Sequence, residues 1–284
     1  YVAPSYWAYK SFAKDTPKHL LKYFQKIYCI LPFENKLLNE YNIPNLYVGH
    51  TAIEEMIRLF HRSSSTSSSS SSSSSVVLGS NSSGNSNKHN NFLSNLRKNI
   101  ELCRSMARSR FHIQENDNDN KVREKVLLLF PGSRLQEVDK SLPLIYSTLK
   151  NLFVEKEEIE NDKINTKWTI IIPTLSVHSP VGRKVSTFVH DIKSDIENKK
   201  SFFHVKNIMY INNDDLDMKR DAFAAADAAI AMSGTVVTEL ALANVQTLVI
   251  YPGSFITSVL AKKLAKVNFV SIPKRAEQLL VLLQ

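Results

Sequence analysis

The chain has 284 residues, of which 43% are hydrophobic and 22% are charged, and its formal net charge is +9. No apolar run reaches the ~18 residues that a membrane-spanning helix needs, so any membrane contact is predicted to be peripheral. The seven glycines form neither G-x-G-x-x-G nor G-x-x-x-x-G-K-[ST], which excludes the dinucleotide fingerprint and the Walker-type ATPase loop.

The net charge and the numbers and spacing of cysteines and histidines restrict which ligands, disulfides and metal sites are expected. The net positive charge favours nucleic acid, an anionic membrane face or a phosphorylated substrate, or it serves solubility alone. Cys29 and Cys103 are too few for a disulfide scaffold, and no C-x-x-C is present. Cys29 lies in the apolar run 27–31, where a buried thiol is predicted. The eight histidines lack metal-ligand spacing, so no metal site is predicted.

The predicted elements before residue 62 alternate between strands and helices, as in a parallel α/β unit. In chain order they are a strand end at 1–3, a helix at 18–26, a strand at 27–31, a helix at 35–41 and a strand at 46–48. Residues 62–91 follow and are dominated by serine and asparagine. This block has no apolar face to offset its ordering entropy, so it is predicted to be a disordered linker or loop insertion.

A second and longer alternation follows a basic helix predicted at 92–111. Its predicted strands are 126–130, 169–172, either 202–205 or 208–211, 228–232 and 247–251, and its predicted helices are 135–153, 181–200, 216–226, 235–243 and 255–266. The strands are continuous apolar runs, which is typical of a parallel sheet covered by helices on both faces. The pattern therefore predicts an α/β doubly wound domain.

Two strand-to-helix turns carry residues suited to a phosphate. The first contains Gly132, Ser133 and Arg134, where glycine permits a tight turn, serine can cap the helix and arginine offers a forked cation. The second contains Ser233, Gly234 and Thr235. The free N–H groups of a helix N-terminus form an anion site at either turn. The alternative for the first turn is a capped turn with a solvent-exposed arginine.

Glu239 lies about one turn into the helix that follows the second turn. A carboxylate there is suited to accept two hydrogen bonds from vicinal hydroxyls, as on a ribose. The alternative is a glutamate that faces solvent. Its neighbours Leu240 and Leu242 are apolar, so a buried glutamate would need partners. Two phosphate-type turns and this carboxylate, without a glycine-rich fingerprint, indicate a nucleotide-sugar site.

Several short motifs occur in a fixed order along the chain. They are Tyr1-Val2-Ala3-Pro4-Ser5-Tyr6-Trp7-Ala8-Tyr9, Leu31-Pro32-Phe33-Glu34, Tyr41-Asn42-Ile43-Pro44, Val48-Gly49-His50-Thr51, Pro131-Gly132-Ser133-Arg134 with Glu137-Val138, Ala226-Asp227-Ala228-Ala229, Ser233-Gly234-Thr235 with Glu239, and Phe269-Val270-Ser271-Ile272-Pro273. Their order and spacing resemble those of lipid-A-disaccharide synthases, glycosyltransferases of the GT-B type with two Rossmann-like domains. The resemblance covers most of the chain apart from residues 57–124.

The resemblance implies the domain organisation. The N-terminal Rossmann-like domain is only partly present, as residues 1–56 on the acceptor side. Residues 57–124 form a linker that contains the insertion at about 62–91. Residues 125–284 form the UDP-sugar donor domain, without the terminal helices of the family. The expected general base lies before residue 1, so no catalytic residue is assigned and this chain is expected to be inactive alone.

The resemblance also implies the reaction. The family transfers 2,3-diacylglucosamine from its UDP donor to 2,3-diacylglucosamine 1-phosphate, forming the β-1,6-linked lipid A disaccharide 1-phosphate and UDP. This hexosyl transfer is inverting and needs no metal or cofactor. Carried over to this chain, Gly132, Ser133 and Arg134 bind the diphosphate, as does the turn 233–235, and Glu239 holds the ribose.

Other residues have two interpretations each. Ser5 and Trp7 are assigned to the cleft on the acceptor side, although an aromatic core cluster is the alternative for Trp7. His50 is placed near the domain junction, or is a structural histidine. The helix at 255–266, with three lysines, suits an anionic membrane or is an ordinary amphipathic surface helix. The basic segment 97–110 lacks interleaved aromatic residues, so no nucleic-acid partner is predicted.

The resemblance places the protein at the cytoplasmic face of a bacterial membrane or, in a eukaryote, in a mitochondrion or plastid. Two alternatives stay open from the sequence. One is another UDP-sugar enzyme of the same architecture, such as a UDP-N-acetylglucosamine epimerase. The other is a non-catalytic relative that kept the nucleotide pocket.

Overall fold

The computed structural model describes residues 22–30, 32–49, 51–61, 86–114, 122–153, 165–198, 202 and 204–250. These residues belong to two compact units, a smaller one up to residue 55 and a larger one from residue 56. Several predictions lie outside the described residues: Ser5, Trp7, His50, most of the insertion at 62–91 and the helix at 255–266.

The smaller unit is a β-α-β unit with parallel strands. It consists of β1 (Ile27–Cys29), α1 (Pro32–Glu40) and β2 (Asn45–Tyr47), and Ile27 lies opposite Asn45 in the register. The core contains Ile27, Cys29, Leu38 and Ile43. The predicted burial of Cys29 is confirmed, and this burial raises the pKa of its thiol, with a smaller contribution from the charge of Glu34.

The larger unit contains a five-stranded parallel sheet with the strand order β5-β4-β3-β6-β7. Its elements are residues 56–61 of α2 (Thr51–His61), α3 (Ser86–Arg110), β3 (Val122–Phe130), α4 (Leu135–Phe153), β4 (Asn165–Thr174), α5 (Pro180–Glu197), β5 (Val205–Asn212), α6 (Leu216–Ala225), β6 (Ala228–Met232), α7 (Thr235–Leu242) and β7 (Gln246–Ile250). The order reverses between β3 and β6, which defines the switch point of a doubly wound sheet. The predicted fold class is confirmed.

Hydrophobic cores on both faces explain why the strands are continuous apolar runs. Along the central strand β3, Val126 and Leu128 join the core under α2, α3, α6 and α7, whereas Leu127 and Leu129 join the core under α4 and α5. Each fully buried aliphatic side chain contributes ~1.5–3 kcal/mol relative to an exposed one. Successive side chains from Val126 to Phe130 therefore point into opposite cores, and all five positions are buried.

Helices α2 and α3 contribute to the core of the larger unit, although the resemblance implied a linker over residues 57–124. Met56, Leu59 and Phe60 of α2 are buried in this core, as are Leu96 and Ile100 of α3. The signal in the sequence is the helical spacing of these apolar residues on either side of the serine-rich block. The domain bounds stay a prediction.

Two arginines of the basic helix α3 are used inside the larger unit. Arg104 and Arg108 each donate to carbonyl oxygens at the end of α6 and to the carboxylate of Asp227, at 2.6 Å and 3.2 Å respectively. Asp227 also accepts a hydrogen bond from the Val126 N–H at 2.8 Å. Cations at a helix C-terminus pair with its unsatisfied carbonyls and with the negative end of its dipole. Part of the net positive charge of the chain is therefore used in ion pairs and hydrogen bonds that hold the larger unit together.

The helices of the described ranges are too short or too polar to cross a membrane.

Candidate functional site

A cavity of about 420 Å³ opens in the larger unit at the carboxyl ends of its central strands. The residues that follow β3 and β6 form two of its walls, and Thr174 at the end of β4 and Asn213 after β5 lie at its edge. All seven residues predicted to bind UDP line this cavity: Gly132, Ser133, Arg134, Ser233, Gly234, Thr235 and Glu239. The parallel sheet places both turns at one edge, where open α/β sheets bind ligands.

The turn after β3 requires glycine at position 132. Gly132 has a φ of +116°, in the region that residues with a side chain rarely adopt. A Cβ atom here would lie 2.8 Å from the Cβ of Glu137 and 3.0 Å from its Oε2. The chain can therefore pass close to the first turn of α4 only because no side chain is present.

Glu137 caps helix α4, a role predicted from the sequence for Ser133. Its Oε2 accepts hydrogen bonds from the backbone N–H groups of Ser133 and Arg134, each at 3.2 Å, and its Oε1 accepts one from the Arg134 guanidinium at 3.2 Å. A glutamate three residues after the N-cap position is typical of a capping box. An anion that uses these donors must displace this carboxylate or share them with it.

The turn after β6 leaves the start of α7 open toward the cavity. Gly234 is the N-cap residue of α7 and provides no side-chain hydrogen bond. The N–H of Ser233 donates to the Ile250 carbonyl at 3.1 Å, so this one group is engaged in the backbone. An uncapped helix N-terminus carries partial positive charge, which favours an anion at this wall.

Glu239 is buried at 6% exposure, which excludes the alternative of a glutamate facing solvent. Its Oε2 lies 3.2 Å from the Nζ of Lys219, a residue of α6 that also lines the cavity and is 5% exposed. Sequence reasoning missed Lys219. The available signal was a lysine at helical spacing from the buried residues Ala222 and Phe223, on the apolar side of α6.

The cavity thus combines an uncapped helix N-terminus, two cationic side chains and a buried carboxylate. Arg134 is largely exposed, whereas Lys219 is buried. Such a set suits a ligand with an anionic group at one end and hydroxyl groups at the other. Among the described residues, no group of three or more His, Cys, Asp or Glu side chains is placed to hold a metal ion.

Comparison with known proteins identifies a family. The family model described as lipid-A-disaccharide synthetase matches residues 1–82 and 105–275. The match includes both turns and Glu239. It leaves out residues 276–284 and residues 83–104, the latter within the region that the resemblance did not cover.

Several curated relatives carry the corresponding name. The chain is 25% identical over 273 residues to "Probable lipid-A-disaccharide synthase, mitochondrial" of Arabidopsis thaliana, covering 96% of this chain and 46% of the relative. It is 27% identical over 276 residues to the lipid-A-disaccharide synthase of Granulibacter bethesdensis, covering 96% and 49%. With the enzyme of Coxiella burnetii the identity is 24% over 272 residues, covering 96% and 50%. The chain thus spans about half the length of these relatives.

Proposed function

The chain belongs to the lipid-A-disaccharide synthetase family, of GT-B architecture, and from this we propose that its larger unit binds the UDP portion of a UDP-sugar donor. In the complete reaction, 2,3-diacylglucosamine passes from its UDP donor to 2,3-diacylglucosamine 1-phosphate, with release of UDP. The observation that carries the proposal is the convergence of both turns and Glu239 on one cavity at the switch point of the sheet.

In this proposal the diphosphate lies between the two turns, near the N-termini of α4 and α7. Arg134 turns its guanidinium from Glu137 toward the phosphates, and Glu239 accepts hydrogen bonds from the ribose. As the glycosidic bond to UDP breaks, negative charge develops on the diphosphate. Once the donor is bound, the N–H groups and the arginine are already in place, so they stabilise this charge without further rearrangement, which lowers the barrier to displacement without a metal ion. The transfer inverts the configuration of the sugar.

Replacement of Arg134 tests where the diphosphate binds. At UDP concentrations near its Kd, we expect UDP to raise the melting temperature of the wild-type chain, and Arg134→Ala to remove most of that rise. The arginine is exposed, so we expect roughly tenfold weaker UDP binding, at the low end for a charge-assisted hydrogen bond. Isothermal titration calorimetry with UDP, beside thermal melting, measures both effects.

Arg183→Ala is the matched control for this variant. Arg134 directly precedes α4, and Arg183 likewise lies near the start of a helix, but that helix is α5 and Arg183 does not line the cavity. UDP binding by this variant is expected to equal that of the wild type. If Arg134→Ala binds UDP as tightly as the control, the diphosphate does not bind at this turn.

The acyl chains of the donor distinguish the proposed function from the epimerase alternative. We expect UDP-2,3-diacylglucosamine to bind and UDP-N-acetylglucosamine to compete only weakly, because the family's substrates carry acyl chains. Displacement of a fluorescent UDP analogue by the two donors makes the comparison. Equal competition by the soluble sugar nucleotide would favour an epimerase-like substrate. A non-catalytic relative would bind the donor but, in the full-length protein, form no disaccharide detectable by mass spectrometry.

The substrates of this reaction are lipids, so the proposal includes peripheral contact with an anionic membrane. The relatives include bacterial enzymes and one named as mitochondrial. For this chain we propose the cytoplasmic face of a bacterial membrane or an organelle of a eukaryote.

A further inference from the structure

A buried lysine forms part of the wall of the cavity. Among the residues that the structure describes, Lys219 is the only buried lysine, with 5% of its surface exposed. Its Nζ lies 3.2 Å from Glu239 Oε2 and 6.0 Å from the centre of the Phe223 ring. Removing an ammonium group from water is costly, and a buried ion pair gives little net stability over an apolar pair of the same size. A contribution to folding stability therefore does not explain why a lysine occupies this buried position.

The position of Lys219 connects it to the ligand through Glu239. The lysine comes from α6 and the glutamate from α7, so the pair forms across two helices at the cavity wall. A glutamate this deeply buried favours its neutral form unless a cation lies beside it. A neutral carboxyl has fewer acceptor sites for hydroxyl groups than a carboxylate. The ammonium group thus keeps Glu239 in the form that two neighbouring hydroxyls require.

We propose that Lys219 is a positioning residue that holds Glu239 as an oriented carboxylate, so that selection of a ribonucleotide over a 2′-deoxyribonucleotide depends on it. This inference rests on the proposed function, because it concerns the ribose of the same nucleotide. A lysine that instead contacted the diphosphate would strengthen binding of ribo- and deoxyribonucleotides equally. The ratio of the two affinities therefore separates the two roles.

The test measures binding of UDP and 2′-deoxy-UDP by calorimetry for the wild type, Lys219→Met and Lys219→Arg. We expect the wild type to prefer UDP by roughly tenfold or more, the value of a hydrogen bond to a charged group. Lys219→Met should reduce this preference to about twofold or less by removing the charged form of its partner. Lys219→Arg should retain most of the preference, because the guanidinium also pairs with a carboxylate.

Lys206→Met is the matched control. Lys206 pairs with the buried Glu124 of β3 in the same unit, outside the cavity. This variant should keep the wild-type preference for UDP. A loss of preference in the control as large as in Lys219→Met would assign the effect to general destabilisation and overturn the proposal.

A second comparison uses a double variant that removes both charges of the pair, so that neither charge is left buried without the other. The double variant Lys219→Met/Glu239→Gln should bind each nucleotide with the same affinity as Glu239→Gln alone. A residue that acts only through Glu239 has no further effect once Glu239 is changed. A weaker double variant, or an unchanged preference in Lys219→Met, would overturn the inference while leaving UDP binding in place. A wild-type chain that binds no UDP would overturn the proposed function and this inference together.

Discussion

Replacement of Asp227 by alanine is expected to lower the free energy of unfolding of the larger unit by about 2–4 kcal/mol. Its carboxylate accepts hydrogen bonds from Arg104, Arg108 and the N–H of Val126. Without it, the guanidinium of Arg108, whose side chain is 8% exposed, is left buried without its carboxylate. The expected loss lies below the usual range for a fully buried pair because Asp227 and Arg104 are both partly exposed.

Urea denaturation followed by circular dichroism measures this loss. Asp139→Ala is the matched control, since Asp139 also forms an ion pair, with Lys184, but both side chains are more than 40% exposed. Exposed pairs contribute ~0–1 kcal/mol, so the control should unfold nearly as the wild type does. A loss below ~1 kcal/mol in Asp227→Ala would mean that helix α3 is held mainly by its apolar contacts and not by the arginines.

Gly182→Ala is the second substitution for which we expect a large loss of stability. Gly182 lies in the first turn of α5, where alanine would normally stabilise a helix by ~1 kcal/mol relative to glycine. A Cβ atom at this position would lie 2.2 Å from the carbonyl oxygen of Ser176 and 2.8 Å from the Cα of Val177. Both are backbone atoms, so no side-chain rotation can relieve the contact.

The helix start must therefore move away from the loop before it. We expect a net destabilisation of about 2 kcal/mol or more, near the upper part of the range for overpacking. Gly234→Ala is the control, because Gly234 has an extended backbone and the nearest atom to the added methyl group would be 4.0 Å away. Thermal melting of both variants shows whether Gly182→Ala lowers or raises the stability of the protein. A Gly182→Ala variant more stable than the wild type would show that helix propensity outweighs the steric contact.

The convergence of the two turns was predictable from the sequence. Continuous apolar strands that alternate with helices predict a parallel sheet, and a parallel sheet brings the loops after β3 and β6 to the same edge. Local patterns were sufficient here because each turn is defined by a few adjacent residues. The binding roles of Gly132, Arg134 and Glu239 remain predictions, although all three line one cavity.

The environment of individual side chains was less predictable. The sequence suggested Ser133 as the cap of α4, but the helix begins one residue later than that requires and Glu137 provides the capping carboxylate. Helix α2 was not predicted from the sequence, although Met56 and Phe60 lie at helical spacing just before the serine-rich block. The start of α4 differs by one residue because Glu137, and not Ser133, accepts the hydrogen bonds of the N–H groups at the helix start.

Periodicity and short motifs were sufficient to predict the α/β class, the family and the two turns. The burial of Glu239, its pairing with Lys219 and the binding of Arg104 and Arg108 to Asp227 are visible only in the folded protein. Glu239 is twenty positions from Lys219, and Asp227 is more than a hundred from the two arginines. Pairs so far apart in the chain meet only when helices dock on the sheet, and the burial that results sets their charge and their chemistry.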